Sequence, residues 1–315
     1  MDAATATRIA ATPQSVTWGY FDAATAPVCR VASGAEVVIE TISGAPSCLP
    51  TDPAFEILPE HREILAAVAP GPGPHLLTGP VYVEGARRGD VLAVDILDVS
   101  LRQNWGYNLI APLRGTLPED FPDYTLKILP IDRAAGTVLL PWGGKLELSP
   151  FFGIMSVAPP PNWGRITSIV PRAMGGNMDN KELVTGTTVF FPVFNDGALF
   201  SAGDGHGVQG DGEVCITAVE TALTGRFRLS VRTDMQLTAP RAVTPTHYIT
   251  MGFDEDLDDA VKQALRDMIR WIGELRGLSA TDAYTLCSLA ADLHVTQTVN
   301  VAKGVHCMLP KAVLG

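Results

Sequence analysis

The segment TVFFPVFNDGALFSAGDGHGVQGDGEVCITAV, residues 188–219, sets a run of glycines between two stretches that are typical of buried strands. Aromatic and aliphatic residues predict strands at 188–194 and 198–200 before the glycines and at 214–219 after them. Within the run a glycine stands at every second or third position, and glycine is unfavourable inside helices and strands. We therefore predict that residues 201–213 form a tight loop held by core strands at both ends.

This predicted loop carries a dense set of polar side chains. They are Asp204, His206, Gln209, Asp211 and Glu213. Glycine allows positive φ and close approach of the backbone to a ligand, so a few side chains can converge on one point. A solvated glycine–aspartate turn is the alternative interpretation. The core strands on both sides favour a polar site.

Outward from this segment, short apolar runs bounded by turn residues predict a strand-rich fold. Strands are predicted at residues 16–20, 37–42, 81–84, 91–99, 127–131, 138–140, 145–148, 214–221 and 226–232, and a short helix at 60–68. Gly143 and Gly144 predict a hairpin turn between two of these strands.

Beyond residue 253 the hydrophobic period changes to that of a helix. Apolar residues at three- and four-residue spacing predict an amphipathic helix over 254–276. Ser279 then begins a second helix with Asp282 in the capping-box position, and strands follow at 294–301 and 305–309.

We predict a β-rich α+β fold: a mixed or antiparallel β sandwich or a barrel-like core, with the two C-terminal helices packed on one face. Residues 1–253 are expected to form the β-rich catalytic core, with two intertwined β subdomains as the alternative arrangement. Residues 254–315 are expected to hold the helical pair and the closing strands.

Composition indicates a small neutral ligand. The formal net charge is −11 and the sequence pI about 4.9, and the 23 basic residues form no run. Nucleic acid is therefore not expected as a partner. The N-terminus lacks the pattern of a signal peptide, and no apolar stretch reaches the ~18 residues that span a bilayer. Five scattered cysteines without a C-x-x-C pair predict reduced thiols and a cytoplasmic protein with no membrane partner.

Three further segments offer polar or aromatic candidates. The proline- and glycine-rich run APGPGPHLLTGP places His75 on a loop, where a merely solvated histidine is the alternative. Gly175 and Gly176 permit a sharp turn ahead of Asn177 and Asp179. The insertion 101–124, which holds Trp105, is expected to form a wall of a substrate pocket or to pack on a neighbouring subunit.

The inventory of histidines and carboxylates suits a divalent metal. No G-x-S-x-G elbow, P-loop or dinucleotide fingerprint is present. Zn²⁺ takes imidazole and carboxylate ligands and lowers the pKa of its bound water to about 7. Asp204 and His206 are two candidate ligands, with His75 or Asp179 completing the set.

Four segments resemble the acetamidase/formamidase family. They are PGPHLLTGPVYVEGARRGDVLAVDILDV from residue 72, PFFGIMSVAP from 150, PRAMGGNMDNKELVTGTTVFFPV from 171 and GALFSAGDGHGVQGDGEVCITAVE from 197. The likeness extends from residue 16 to the ending LPKAVL. It implies a β-rich, intracellular, homo-oligomeric hydrolase that converts short carboxamides to carboxylate and ammonia. At least one relative acts on a cyclic γ-lactam. Ser156 departs from the glycine that is usual in the family, which puts the acyl preference in question.

The resemblance implies a metal-assisted site, in which we assign the roles from chemistry. The expected metal ligands are His75, Asp179, Asp204 and His206, for Zn²⁺ or alternatively Ca²⁺. The expected proton carriers are Glu213, Glu84 or Asp211. Asn177, Gln209 and Trp105 are expected to bind the substrate, with an amide group of Asn177 or Gln209 donating to the oxyanion.

The expected substrate is a small neutral amide. One alternative is a hydrolase of a cyclic γ-lactam or of a larger or aromatic amide. The other is a non-catalytic scaffold in which the metal only ties loops together.

Overall fold

The computed structural model describes residues 6–315, which form strands in several sheets and three α-helices. The strands are β1 (Thr7–Ile9), β2 (Val16–Trp18), β3 (Tyr20–Phe21), β4 (Cys29–Val31), β5 (Ala35–Glu40), β6 (Leu76–Val83), β7 (Val91–Leu101), β8 (Trp105–Ile110), β9 (Thr125–Asp132), β10 (Thr137–Leu139), β11 (Lys145–Glu147), β12 (Phe151–Ser156), β13 (Ile166–Thr167), β14 (Gly175–Asn177), β15 (Thr188–Pro192), β16 (Phe200–His206), β17 (Leu223–Arg232), β18 (Arg241–Val243), β19 (His247–Asp254), β20 (Asp292–Gln297) and β21 (Lys303–Pro310). The helices are α1 (Pro59–Ala67), α2 (Leu257–Arg276) and α3 (Ala280–Ala290).

Two large sheets dominate the fold. The first has nine strands in the order β1-β5-β17-β7-β15-β18-β19-β21-β20, and the second has six, β14-β12-β16-β6-β2 with β4 beside β6. Only the β1–β5 and β4–β6 pairs are parallel among the described strand pairs of these sheets. A four-stranded sheet, β11-β10-β9-β8, and the β13-β3 pair complete the arrangement.

One apolar cluster joins the two large sheets. Ile39 of β5 and Leu92 of β7 come from the nine-stranded sheet, while Leu77 of β6 and Phe152 of β12 come from the six-stranded sheet. Burying these side chains between two sheets is the main stabilising contact of a β sandwich. No sheet formed by residues 6–315 closes into a barrel. The predicted β-rich α+β sandwich is thus confirmed.

The two C-terminal helices pack on one face of the nine-stranded sheet, over β19 and β21. Asp256 caps α2 by accepting hydrogen bonds from the backbone N–H groups of the first turn, and Gly277 ends it in the left-handed conformation. Ser279 caps α3 through the N–H of Asp282. The predicted helices and their position are confirmed. The domain boundary at residue 253 stays a prediction.

The sequence-based expectation for residues 201–213 is wrong in its first half. Residues up to His206 belong to β16, which pairs with β12 and β6. A Cβ on Gly203 would lie 2.4 Å from the main-chain oxygen of Leu76, and one on Gly205 would lie 2.5 Å from that of Thr221. The glycines are therefore needed because neighbouring backbone approaches closely, and they do not mark a loop.

Two other predictions need correction. The strand predicted at 214–221 is absent, because Ile216 has a φ of +94° and the chain runs irregularly from β16 to the start of β17 at Leu223. The insertion 101–124 is not a single loop, since it contains β8. Within residues 6–315, no helix combines the length and the apolar character needed to cross a membrane.

Candidate functional site

A cavity of about 460 Å³ lies between the loop that precedes β6, strand β8 and the segment that joins β16 to β17. Asp179, Asp204, Glu213 and Glu220 line it, and each of these carboxylates is at least nine-tenths buried. Charged side chains are rarely buried unless they are paired or bind a metal. The inner end of the cavity is therefore the candidate functional site.

His206, the last residue of β16, is the centre of this carboxylate cluster. Its Nε2 atom lies 3.3 Å from Oε1 of Glu220 and 3.4 Å from Oδ2 of Asp204. It lies 3.9 Å from Oδ1 of Asp179 and 4.0 Å from Oε1 of Glu213. One imidazole nitrogen thus faces four carboxylates.

Gln209 fixes which nitrogen of His206 carries a proton. Its Nε2 donates to the main-chain oxygen of Asp179 at 2.8 Å, so its Oε1 faces His206 Nδ1 at 2.9 Å and accepts a hydrogen bond from it. The Nδ1 atom is therefore the donor, and Nε2 is left to meet the carboxylates. A hydrogen bond of this kind holds the ring of a metal-binding histidine in place.

His75 brings a second imidazole to the cluster. It directly precedes β6, its Nδ1 lies 2.8 Å from Oγ of Ser168, and its Nε2 lies 3.8 Å from Oδ2 of Asp204. Burial lowers the pKa of His75, against the opposing effect of Asp204. The ring is therefore neutral near pH 7, which is the form that binds a metal.

The backbone at the site is strained. Asp179, Asp204 and Glu213 have φ values of +47°, +56° and +43°, in the left-handed region that residues with a side chain seldom adopt. Each such residue costs roughly 1–3 kcal/mol and persists only when the surrounding structure imposes it. Strain at three carboxylates of one cluster indicates that their placement serves a function.

Burial shifts the pKa values of these carboxyl groups apart. It raises the pKa of Asp179 to about 6 and that of Glu220 to about 7, and it holds the pKa of Glu213 well above its usual range. Burial alone would also raise the pKa of Asp204, but the imidazoles of His75 and His206 hold it well below its usual range. Burial opposes protonation of His206, whereas Glu220 and Asp204 raise its pKa well above the usual value. The cluster therefore holds protons on glutamates and negative charge on Asp204.

The cluster fits a divalent cation. His206 Nε2, Asp179 Oδ1 and Glu213 Oε2 are buried and make no hydrogen bond with any described residue, although unpartnered buried polar atoms are costly. Ligand atoms of Asp179, Asp204 and His206 lie within 4.8 Å of one another, and so do those of His206, Glu213 and Glu220. Mixed imidazole and carboxylate donors are a set that Zn²⁺ accepts.

Gly153 of β12 forms the floor of the cluster. A Cβ atom there would lie 2.4 Å from Oδ1 of Asp179 and 2.8 Å from both Oδ2 of Asp204 and Cε1 of His206. The side chains of the cluster therefore occupy the space that any larger residue would need.

Several of the sequence-predicted residues do come together. His75, Asp179, Asp204, His206 and Glu213 form the cluster just described, and Gln209 and Asn177 lie beside it. Their assigned roles stay predictions. The side-chain NH₂ groups of Asn177 and Gln209 each donate one hydrogen bond to a main-chain oxygen, that of Ile169 and that of Asp179 respectively.

Four other sequence candidates lie elsewhere. Glu84 is exposed after β6, and Asp211 pairs with Lys181 at 3.3 Å and with His294 at 3.2 Å. Trp105 is buried and donates from Nε1 to the main-chain oxygen of Glu56 at 2.7 Å. The hydroxyl of Ser156 donates to the main-chain oxygen of Val157 at 2.6 Å. None of these four side chains lines the cavity.

Sequence reasoning missed Glu220 and Asn300. Glu220 was assigned to a strand, where a glutamate signals only a polar face. Asn300 donates from Nδ2 to Asp179 Oδ2 and, at 3.2 Å, to the main-chain oxygen of Asn177. No local pattern links residue 300 to a turn more than 120 positions earlier, so only the tertiary structure reveals it.

The fold and the site together define a class of strand-rich α+β protein in which a buried cluster of carboxylates and imidazoles closes a deep cavity. A model described as the acetamidase/formamidase family matches residues 27–167 and 164–314. The chain belongs to the acetamidase/formamidase family.

Individual relatives agree with this membership. A formamidase from Methylophilus methylotrophus is 31% identical over 256 residues, which cover 62% of this chain and 63% of that protein. An acetamidase from Mycolicibacterium smegmatis is 28% identical over 198 residues, or 44% of this chain and 49% of that protein. The chain thus spans less than two thirds of the length of these curated relatives.

Solved structures show the same fold. The crystal structure of an acetamidase from Bacillus halodurans has a TM-score of 0.83 and 34% identity, covering 97% of this chain and 98% of that one. A gamma lactamase from Delftia acidovorans has a TM-score of 0.64 and 24% identity, covering 96% and 90%, and this likeness shows the fold alone.

Proposed function

We propose that the protein hydrolyses linear primary carboxamides, of the formamide and acetamide kind, to carboxylate and ammonia with the help of a divalent metal. The observation that carries the proposal is His206 Nε2, which is buried, unpartnered and surrounded by four carboxylates. Membership of the acetamidase/formamidase family supports the choice of substrate.

His75, Asp179, Asp204 and His206 are the residues that would hold the metal, with Zn²⁺ favoured by the two imidazoles and Ca²⁺ as the alternative. A bound divalent ion supplies a Lewis acid for the amide oxygen and lowers the pKa of a water molecule. Neutral His75 and ionised Asp204 are ready to bind without first losing a proton.

Glu213 and Glu220 are the proposed proton carriers. Both line the cavity, both are buried, and burial raises the pKa of each. The like charge of Glu220 adds to the raised pKa of Glu213. The ionised carboxylate takes the proton of the attacking water, and the protonated one donates to the departing nitrogen.

Asn177 is proposed to recognise the amide nitrogen of the substrate. Its Nδ2 is bound to the main-chain oxygen of Ile169, whereas its buried Oδ1 has no partner among residues 6–315 and lies at the cavity. An unpaired acceptor suits the two N–H donors of a primary amide. A substrate that lacks these donors leaves Oδ1 unpaired, which gives selectivity for primary amides.

We also propose that the chain works as a homo-oligomer in the cytoplasm. All five cysteines are free, as expected in a reducing compartment. The hairpin residue Trp142 is 72% exposed, and a large exposed aromatic side chain suits a subunit interface.

Ammonia release from formamide, acetamide, propionamide and a γ-lactam tests the proposal, measured before and after chelation and after Zn²⁺ is added back. We expect release from the linear amides that chelation abolishes and Zn²⁺ restores. Glu213→Gln and Glu220→Gln should each lower kcat by about 10²–10⁴-fold while circular dichroism stays unchanged. Release that is insensitive to chelation argues against the metal, release from the lactam alone favours the cyclic alternative, and no release at all favours the scaffold.

A further inference from the structure

We propose that this cavity selects amides with an acyl chain longer than acetyl that ends in a carboxylate, and that Arg114 binds that carboxylate. The inference rests on the proposed amide hydrolysis and specifies its substrate class. Three features carry it: the volume of the cavity, the apolar part of its lining, and a single permanent cation at its exposed end.

The cavity is far larger than acetamide requires. At about 30 Å³ for each non-hydrogen atom, as in liquid water, the four such atoms of acetamide fill about 120 Å³. The cavity measures about 460 Å³. It therefore has room for a substrate of about 15 non-hydrogen atoms.

Part of the cavity lining is apolar. Leu109, Ile169 and Ile216 contribute to it together with the ring of Tyr107. An alkyl chain that binds against such surfaces displaces water from them, and each buried methylene raises the binding affinity about fourfold. A chain of several methylenes thus suits this part of the cavity.

The charge of the lining changes sign from the inner end to the mouth. The four carboxylates are buried, whereas Arg114 and Tyr124 are exposed. Among the described residues of the lining, Arg114 is the only permanent cation, and no carboxylate of residues 6–315 lies within 4.0 Å of its guanidinium nitrogens. A guanidinium without a partner presents a fork of donors to a carboxylate.

The segment that carries Arg114 is fixed to the site. The Arg114 N–H donates to the main-chain oxygen of Ala111 at 3.1 Å, and the Thr116 N–H donates to that of Val214 at 2.9 Å. Val214 directly follows the proton carrier Glu213. The backbone beside Arg114 is therefore tied by a hydrogen bond to the residue that follows Glu213.

The test compares kcat/KM for two series with the metal-loaded protein. One series is acetamide, butanamide and hexanamide, and the other is the monoamides of succinic, glutaric and adipic acids. In the neutral series we expect kcat/KM to rise by about fourfold per methylene. We expect the adipic monoamide to exceed hexanamide by at least about fivefold, with the ratio falling as salt screens the exposed guanidinium.

Variants of Arg114 test its part through the ratio of kcat/KM for the adipic monoamide to that for hexanamide. Because both substrates are measured on the same preparation, a folding defect cancels. Arg114→Gln should bring the ratio to about one, since the charge is lost, and Arg114→Lys should keep most of it.

Each adverse outcome has its own meaning. Falling kcat/KM from acetamide to hexanamide overturns the long acyl chain and leaves the proposed amidase function standing. A ratio of one in the parent protein, or one unchanged by Arg114→Gln, overturns the role of Arg114. Absence of ammonia from every amide is a failure of the proposed function itself.

Discussion

The C-terminal helices and the segment around β16 place their charges in opposite ways. In α2 the acidic residues Asp258 and Asp259 are exposed in the first turn, where they complement the positive end of the helix dipole. In the cluster, Asp179, Asp204 and Glu213 are buried next to one another on left-handed backbone. The first arrangement favours folding, and the second opposes it.

The two regions therefore differ in what holds their charged residues in place. Local preference, hydrophobic period and packing agree throughout α2 and α3, as they do in elements that mainly stabilise a fold. At the cluster, backbone strain and like-charge repulsion are held in place by the surrounding sheets, as at sites that are organised to bind an ion. Substitutions in the helical region should therefore change stability, whereas those in the cluster should change chemistry.

The largest effect is expected from the ion pair that ties α2 to the nine-stranded sheet. Arg241 of β18 is buried and donates from Nε and Nη2 to Asp267 at 2.8 and 2.9 Å. Asp267→Asn removes the buried charged partner of this guanidinium, while Glu274 still accepts from Nη1 at 2.7 Å. The unfolding free energy should therefore fall by about 3 kcal/mol, the lower end of the cost of breaking a buried ion pair. Urea unfolding measures the change.

Asp259→Asn is the matched control, because Asp259 pairs with Lys262 on the exposed face of the same helix. Its unfolding free energy should fall by less than about 1 kcal/mol, since an exposed charge in the first turn of a helix contributes at most about that much. Equal losses from the two substitutions would show that the buried ion pair contributes no more to the stability of α2 than an exposed one.

A substitution in the floor of the cluster should have the next largest effect, on activity. Gly153→Ala places a methyl group where Asp179, Asp204 and His206 now meet. A displacement of about 1 Å costs about 100-fold in kcat/KM, or about 2.7 kcal/mol. Gly210→Ala makes the same change in open space nearby and should keep activity within about twofold. Similar activity in the two variants would contradict the tight packing of the cluster.

Lowering the pH should have an intermediate effect on the unfolding free energy. Burial lowers the pKa of His306 to about 3, with further lowering by the neighbouring His294 and Lys181 against the effect of Asp211. Unfolded His306 has a pKa near 6.5, so below that pH the unfolded state binds the extra proton and stability falls with falling pH. Between pH 7 and pH 5 this residue alone should cost about 2 kcal/mol.

The variant His306→Gln isolates that contribution, because it removes the imidazole from β21 and keeps a hydrogen-bonding side chain. Its unfolding free energy should change less between pH 7 and pH 5 than that of the parent. If both proteins lose stability in parallel, the acid sensitivity lies elsewhere.

The smallest effect is expected at the cap of α3. Ser279 accepts a hydrogen bond from the Asp282 N–H at 3.1 Å. Ser279→Ala removes this acceptor and should lower stability by about 1 kcal/mol, seen as a lower midpoint in urea with an unchanged slope. We also expect kcat/KM to stay unchanged. A loss of activity would show that α3 contributes to the structure of the site.

The C-terminal helices could be predicted from the sequence more completely than the carboxylate cluster. The 3.6-residue period of α2, the cap at Ser279 and the turn at Gly143 are local signals, and local structure follows them. His75, Asp179, Asp204 and His206, which meet in the cluster, could be named because glycine-rich segments and the family motifs mark them. Glycines in β16 were misread as a loop, since close approach of Leu76 and Thr221 is a tertiary fact.

Local sequence patterns do not predict the residues that join the cluster from distant parts of the chain. Glu220 and Asn300 reach it only because β17, β20 and β21 bring their neighbouring segments there. Glu84 was an equally good candidate proton carrier from the sequence, but its side chain is exposed after β6. Burial, which separates these residues, depends on the packing of the two sheets.

The metal content of the purified protein, measured by inductively coupled plasma mass spectrometry, shows whether the carboxylate and imidazole cluster binds a divalent ion. We predict about one divalent ion per chain in the parent protein, lost together with amide hydrolysis in Asp204→Asn. Asp211→Asn alters an exposed carboxylate that pairs with Lys181 and should keep both the ion and the activity. An active parent protein without a divalent metal, or an Asp204→Asn variant that keeps metal and activity, would contradict the account.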